Sequence, residues 1–124
     1  MTTQRKAGSK WIRKDKRLAI YLRDGFACTY CGCDVLSGSS CHSTGNGAMA
    51  TLDHVVAVEL GGSNDESNLV TSCLSCNSSK QDKSLREFLA GLTDAKGVAK
   101  RVRNRTRRSL RKYRRAAKMS LRNA

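Results

Sequence analysis

Proline is absent from this 124-residue chain, and aromatic residues make up only 5% of it. So few large rings limit the apolar core, and a core that small needs a staple, either a disulfide or a metal. Also missing is any apolar run near the ~18 residues that cross a membrane, and the N-terminus has no apolar stretch of the kind found in signal peptides. The expected setting is a reducing cytoplasm with no membrane partner, where paired cysteines bind metal more often than they oxidise. Acid is missing from one region in particular: residues 95–124 hold thirteen Lys or Arg and no Asp or Glu.

What is present is unevenly spread. The net charge is +14, yet residues 32–94 carry eight acids against three bases, while residues 1–31 carry eight bases against two acids. An acidic centre between two cationic arms is the layout expected of a metal-using enzyme that acts on nucleic acid. At this length the chain reads as one domain plus appendages. These are a basic, disordered N-terminus over 1–10, a central domain over 11–91 and a basic helical extension over 92–124.

Periodicity begins at Trp11. Trp11, Leu18, Tyr21 and Leu22 share one helical face, Arg13, Lys14, Lys16, Arg17 and Arg23 cover the other, and Gly25 stops the helix. Residues 34–50 are rich in Ser, Gly and Thr and read as a long flexible loop. Cys33, Cys41 and His42, in or beside it, read as plain thiols and a loop histidine rather than a second metal site. Residues 49–60, rich in Val, Leu and Ala, read as a strand with Asp53 and His54 near its start. Gly61-Gly62-Ser63-Asn64-Asp65 is a turn, and Asn68-Leu69-Val70-Thr71 returns as a short second strand. The next helix carries Asn77, Lys80 and Gln81 on one face. Ser84-Leu85-Arg86-Glu87 is a capping box for a helix that ends at Gly91. Asp94 caps a last helix, on which Val98, Val102, Thr106, Leu110, Tyr113, Ala117 and Leu121 recur every three or four residues.

Two cysteine pairs, Cys28-x-x-Cys31 and Cys73-x-x-Cys76, match the two-knuckle pattern of a tetrahedral, structural zinc site. Gly32 lets the backbone turn so that amides point at the thiolates. The long gap between the pairs means that the metal clamps distant segments. Four thiolates leave no open coordination position, so this zinc is a staple rather than a catalyst. The alternative is unrelated buried cysteines or disulfides.

Asp53 and His54, adjacent on a strand, face opposite sides unless a bulge or the strand's end brings both to one site. Their meaning comes from the residues downstream: a Gly-Gly turn, Asn-Leu-Val, then Cys-x-x-Cys-Asn-x-x-Lys. With these motifs the chain resembles the HNH endonuclease family, in its branch with a four-cysteine zinc site common in phage genomes. The resemblance runs from about Leu18 to Phe88, through Arg23-Asp24-Gly25-Phe26-Ala27-Cys28, Cys31-Gly32, Asp53-His54, Gly61-Gly62, Asn68-Leu69-Val70 and Cys73-Leu74-Ser75-Cys76-Asn77-Ser78-Ser79-Lys80. It implies a small α+β fold, a ββα-metal finger stapled by the zinc and flanked by N- and C-terminal helices.

The resemblance also assigns roles. His54 would be the general base, Asp53 and Asn77 would hold a divalent ion, and Asn68 would pin the hairpin loop and help orient His54. The third signature letter is Asn77 rather than histidine, an HNN variant, and Gln81 stands where some relatives place another histidine ligand. One carboxylate and one amide oxygen favour a hard ion, Mg²⁺ or Mn²⁺. The implied products are a 5′-phosphate and a 3′-hydroxyl. Histidine has the intrinsic pKa to make the nucleophile near neutral pH, and a divalent ion stabilises charge on the phosphoryl group. Lys80 either steadies the phosphate or faces solvent. Arg101, Arg105, Arg108, Arg111, Lys112 and Arg115 are expected to track the DNA backbone without reading its sequence. The alternatives are a catalytically inactive, zinc-stapled DNA-binding or packaging accessory protein, and a ribosome-associated zinc protein. The phage context, and with it a terminase as partner, comes from the resemblance alone.

Overall fold

The computed structural model describes residues 12–37 and 49–123; Trp11, Cys41, His42 and the basic segment 1–10 lie outside them. Among the described residues, five α-helices surround a two-stranded antiparallel sheet. No helix among them is long and apolar enough to cross a membrane.

The first helix, α1, covers Lys14–Arg23, with Asp15 in its first turn and Arg23 in its last, as the helix dipole favours. Its buried face is wider than the one expected: Leu18 and Leu22 do pack against the core, but only partly buried. Ala19 and Ile20 are fully buried, and so is Arg23, expected on the exposed side. Arg23 turns inward because a set of acceptors awaits it. Its guanidinium makes a two-pronged pair with Asp24 (2.7 and 3.1 Å) and donates to the carbonyls of Glu66 and Leu69. Asp24 in turn accepts the Thr71 N–H at 2.8 Å, so this ion pair ties α1 to the sheet.

Strand β1 is Ala50–His54 and pairs with β2, Leu69–Cys73, so that Ala50 faces Cys73 and His54 faces Leu69. The strand expected over 49–60 is thus cut short at His54. The Val55 N–H closes the ladder on the Asn68 carbonyl, and the Asn68 side chain then captures both backbone groups of Val56. Beyond it, Val58–Leu60 makes a single 3₁₀ turn. Gly62 is required here, since a Cβ at that position would sit 1.7 Å from the Val56 carbonyl oxygen.

Leu74–Lys80 forms α2 directly after β2, and Leu85–Ala90 forms α3 behind its complete capping box. The single last helix expected from the sequence is two, α4 (Ala95–Arg107) and α5 (Arg111–Arg122), with Arg108 extended between them. The apolar stripe explains the break. Val98 and Val102 pack with the cysteines, Tyr30 and Phe88. Leu110 and Ala117 pack with Ala19, Ile20 and Leu69. Adjacent residues of β2, Leu69 and Val70, point into these separate clusters, and one straight helix could not serve both. The basic extension is therefore part of the core.

Candidate active site

The Sγ atoms of Cys28, Cys31, Cys73 and Cys76 lie within 4.8 Å of one another. A tetrahedral zinc with ~2.3 Å Zn–S bonds spaces its sulfurs ~3.8 Å apart, and Cys31 Sγ and Cys73 Sγ are separated by 3.9 Å. Backbone amides already point at the sulfurs: Cys31 N–H donates to Cys28 Sγ and Cys76 N–H to Cys73 Sγ. Gly32, at φ +81°, makes the first of these turns possible. A hydrogen bond from Cys76 draws the Cys28 thiol down to about 4, whereas burial pushes Cys73 up to about 12. Four thiolates this close repel one another, and a dication lets them ionise together. The cysteines are placed for a metal ion, and an all-sulfur set fits structural zinc. Cys33 is buried in the same core but is not one of the four.

The hairpin and α2 bring the other candidate residues close to this clasp. His54 ends β1, and its Nε2 lies 2.7 Å from Asn64 Oδ1. The ring is thus met by Asn64. Asn68 spans the hairpin loop that it is expected to pin, accepting from Val56 N–H and donating to the carbonyls of Val56 and Ser63. Lys16 donates to the Asn64 carbonyl at 2.6 Å, bracing the loop from α1.

Asp53 points the other way, into the protein, as strand alternation requires. Its Oδ2 accepts from the Tyr30 hydroxyl and lies 3.3 Å from Lys80 Nζ. Burial raises the Asp53 pKa, a shift that Lys80 opposes. Burial and the neighbouring carboxylate also push Tyr30 well above the usual phenol range, so it stays a donor. Asn77, on α2, donates through Nδ2 to Thr51 Oγ1 and the Leu52 carbonyl. Among the described residues, Asp53 Oδ1 and Asn77 Oδ1 have no polar partner.

Lys80 is neither solvated nor aimed at a phosphate. It is fully buried, and its ammonium bridges Asp53 and the His54 carbonyl oxygen, 2.9 Å away. Gln81 does not share the face of Asn77, because α2 ends at Lys80 and Gln81 takes a positive φ, exposed beyond it. Arg101 and Arg105 are also turned inward, donating to the Thr29 carbonyl and to the Ala27 carbonyl and Thr29 hydroxyl respectively. Burial lowers the Arg105 pKa. Arg108, Arg111, Lys112 and Arg115 are exposed. With Ser109 and Tyr113 they line an open depression of about 670 Å³ where α4 meets α5. Sequence reasoning missed Tyr30, Asn64 and Arg23 as partners. The place of Tyr30 between two metal-site cysteines was the one available signal.

A hairpin leading straight into a helix, with four cysteines placed together for a metal ion and an acid and a histidine at its strand end, defines a ββα unit. Residues 28–83 match the HNH endonuclease family, so this unit is an HNH endonuclease domain. The match covers both cysteine pairs, the hairpin and α2, and leaves out α1, α3, α4 and α5. No curated protein and no solved structure gives a match.

Proposed function

We propose that this protein is a metal-dependent DNA endonuclease that hydrolyses phosphodiester bonds to 5′-phosphate and 3′-hydroxyl ends. The observation that carries the reading is His54 at the end of β1, its ring braced by Asn64 within an HNH domain. With Asn64 Oδ1 accepting, Nε2 carries the hydrogen and Nδ1 presents its lone pair. His54 Nδ1 then takes the proton of the attacking water as its oxygen bonds to phosphorus, the P–O3′ bond breaks, and the departing 3′ oxygen takes a proton from solvent water. Asp53 Oδ1 and Asn77 Oδ1 are the hard donors that would hold Mg²⁺ or Mn²⁺. When bound, such an ion supplies charge stabilisation to the phosphoryl and leaving oxygens. Asn68 acts on the loop rather than on the reaction, fixing the chain that carries Asn64.

The substrate's backbone is assigned to α5. Arg111, Arg115, Lys118 and Arg122 recur at helical spacing, are exposed, and have no acid in their helix. Arg108 and Lys112 flank them at the elbow. Such a row tracks phosphates without reading bases.

Plasmid cleavage tests the reading. Wild type with Mg²⁺ or Mn²⁺ should nick or cut, EDTA should stop it, and His54→Ala should lose about 10²–10⁴-fold while keeping zinc and DNA affinity. Cleavage by His54→Ala at the wild-type rate would overturn the mechanism. DNA binding without cleavage under any ion would favour an inactive accessory protein.

A further inference from the structure

We propose that Tyr30 and Lys80 are positioning residues for the ion's carboxylate ligand: they anchor Asp53 by one oxygen so that the other is presented to the divalent ion. This rests on the reading of Asp53 as an ion ligand. Tyr30, Asp53 and Lys80 are at most 4% exposed, and the Tyr30 hydroxyl and the Lys80 ammonium meet Asp53 inside the protein. The Tyr30 hydroxyl and the Lys80 ammonium both address Oδ2. Two donors on one oxygen and none on the other is an odd arrangement for a purely structural ion pair, which gains most when both oxygens are met. It suits a ligand whose second oxygen is reserved. The same ammonium holds the His54 carbonyl, so one lysine fixes both the ligand and the backbone of the base.

The anchors come from the zinc clasp. Tyr30 lies between Cys28 and Cys31, and Lys80 stands one turn after Cys76 and Asn77 on α2. The clasp thereby reaches Asp53 from both knuckles. The Tyr30 ring is also held independently of its hydroxyl, edge-on to Phe88 with centroids 5.1 Å apart. Tyr30→Phe therefore removes the anchor and keeps the packing.

The test is direct Mn²⁺ binding, by electron paramagnetic resonance of free Mn²⁺, in full-length His54→Ala protein with and without Tyr30→Phe. Loss of an outer partner to a metal ligand costs about 10–100-fold in affinity, and that loss is expected at unchanged zinc content and melting temperature. Lys80→Met should weaken Mn²⁺ binding in the same direction. Tyr21→Phe, whose hydroxyl meets only Arg17 among the described residues, should leave it unchanged. With His54 intact, cleavage by Tyr30→Phe should require more Mn²⁺ and reach a saturated rate within a few-fold of its parent. Equal Mn²⁺ affinity with and without the Tyr30 hydroxyl would overturn the proposal and leave the nuclease reading standing. Failure of the parent itself to bind Mn²⁺ would overturn both.

Discussion

A lysine with no exposed surface must have its charge met inside the protein, and Lys80 meets it with Asp53 and the His54 carbonyl. Deleting one partner of such a pair leaves the other buried and unmatched, a cost of about 3–5 kcal/mol. Lys80→Ala should lower the unfolding free energy by that amount in urea titration, whereas the exposed Lys83→Ala should stay within about 0.5 kcal/mol. Equal effects would mean that Lys80 is solvated. Asn64 acts at the same scale through the imidazole. Asn64→Ala releases the ring without removing the base. Its cleavage rate should fall about 10-fold, short of the 10²–10⁴-fold range for losing the base. A rate equal to that of His54→Ala would give Asn64 a larger role than bracing.

At the scale of elements, the two knuckles join the 28–33 turn to the start of α2. Purified protein should hold one zinc per chain. Serine at Cys28, Cys31, Cys73 or Cys76 should lose it, Cys33→Ser should keep it, and chelation should unfold the centre, since metal binding and folding are coupled in so small a domain. Metal analysis beside circular dichroism reads both. The helices α4 and α5 belong to the same core. Truncation after Gly91 removes Val98, Val102 and Leu110, all nearly fully buried, each contributing about 1.5–3 kcal/mol. Against a typical total of about 5–15 kcal/mol, the shortened chain should unfold rather than merely bind DNA more weakly. A folded, cleaving fragment would show the extension to be separable.

For the whole molecule, the basic residues near the C-terminus divide into two groups. Arg101 and Arg105 spend their donors on backbone and side-chain oxygens of the first knuckle, while the outer row of α5 is free to meet phosphates. Replacing Arg111, Arg115, Lys118 and Arg122 by Gln should flatten the salt dependence of duplex binding by about 0.9 log units for each phosphate no longer neutralised. Replacing Arg101 and Arg105 should lower stability with little change in slope. The reverse pattern would move the DNA interface from α5 to α4.

Much was legible in the sequence because it is local. Cys-x-x-Cys pairs, the Asp-His dipeptide, the capping box at Ser84 and the helical stripes all announce themselves within a few residues, and the family match at 28–83 falls on the first two of these. What only the tertiary structure decided is which polar groups are buried. Lys80, Arg101 and Arg23 read as surface cations, since lysine and arginine are exposed unless paired. Their partners, Asp53, Thr29 and the carbonyls of Glu66 and Leu69, are distant in sequence or hidden in the backbone. The ends of β1 and of the stripe in α4 were set the same way, by Asn68 capturing Val56 and by two apolar clusters on opposite sides of β2. Periodicity tells which residues share a face; burial and long-range partners decide what that face meets.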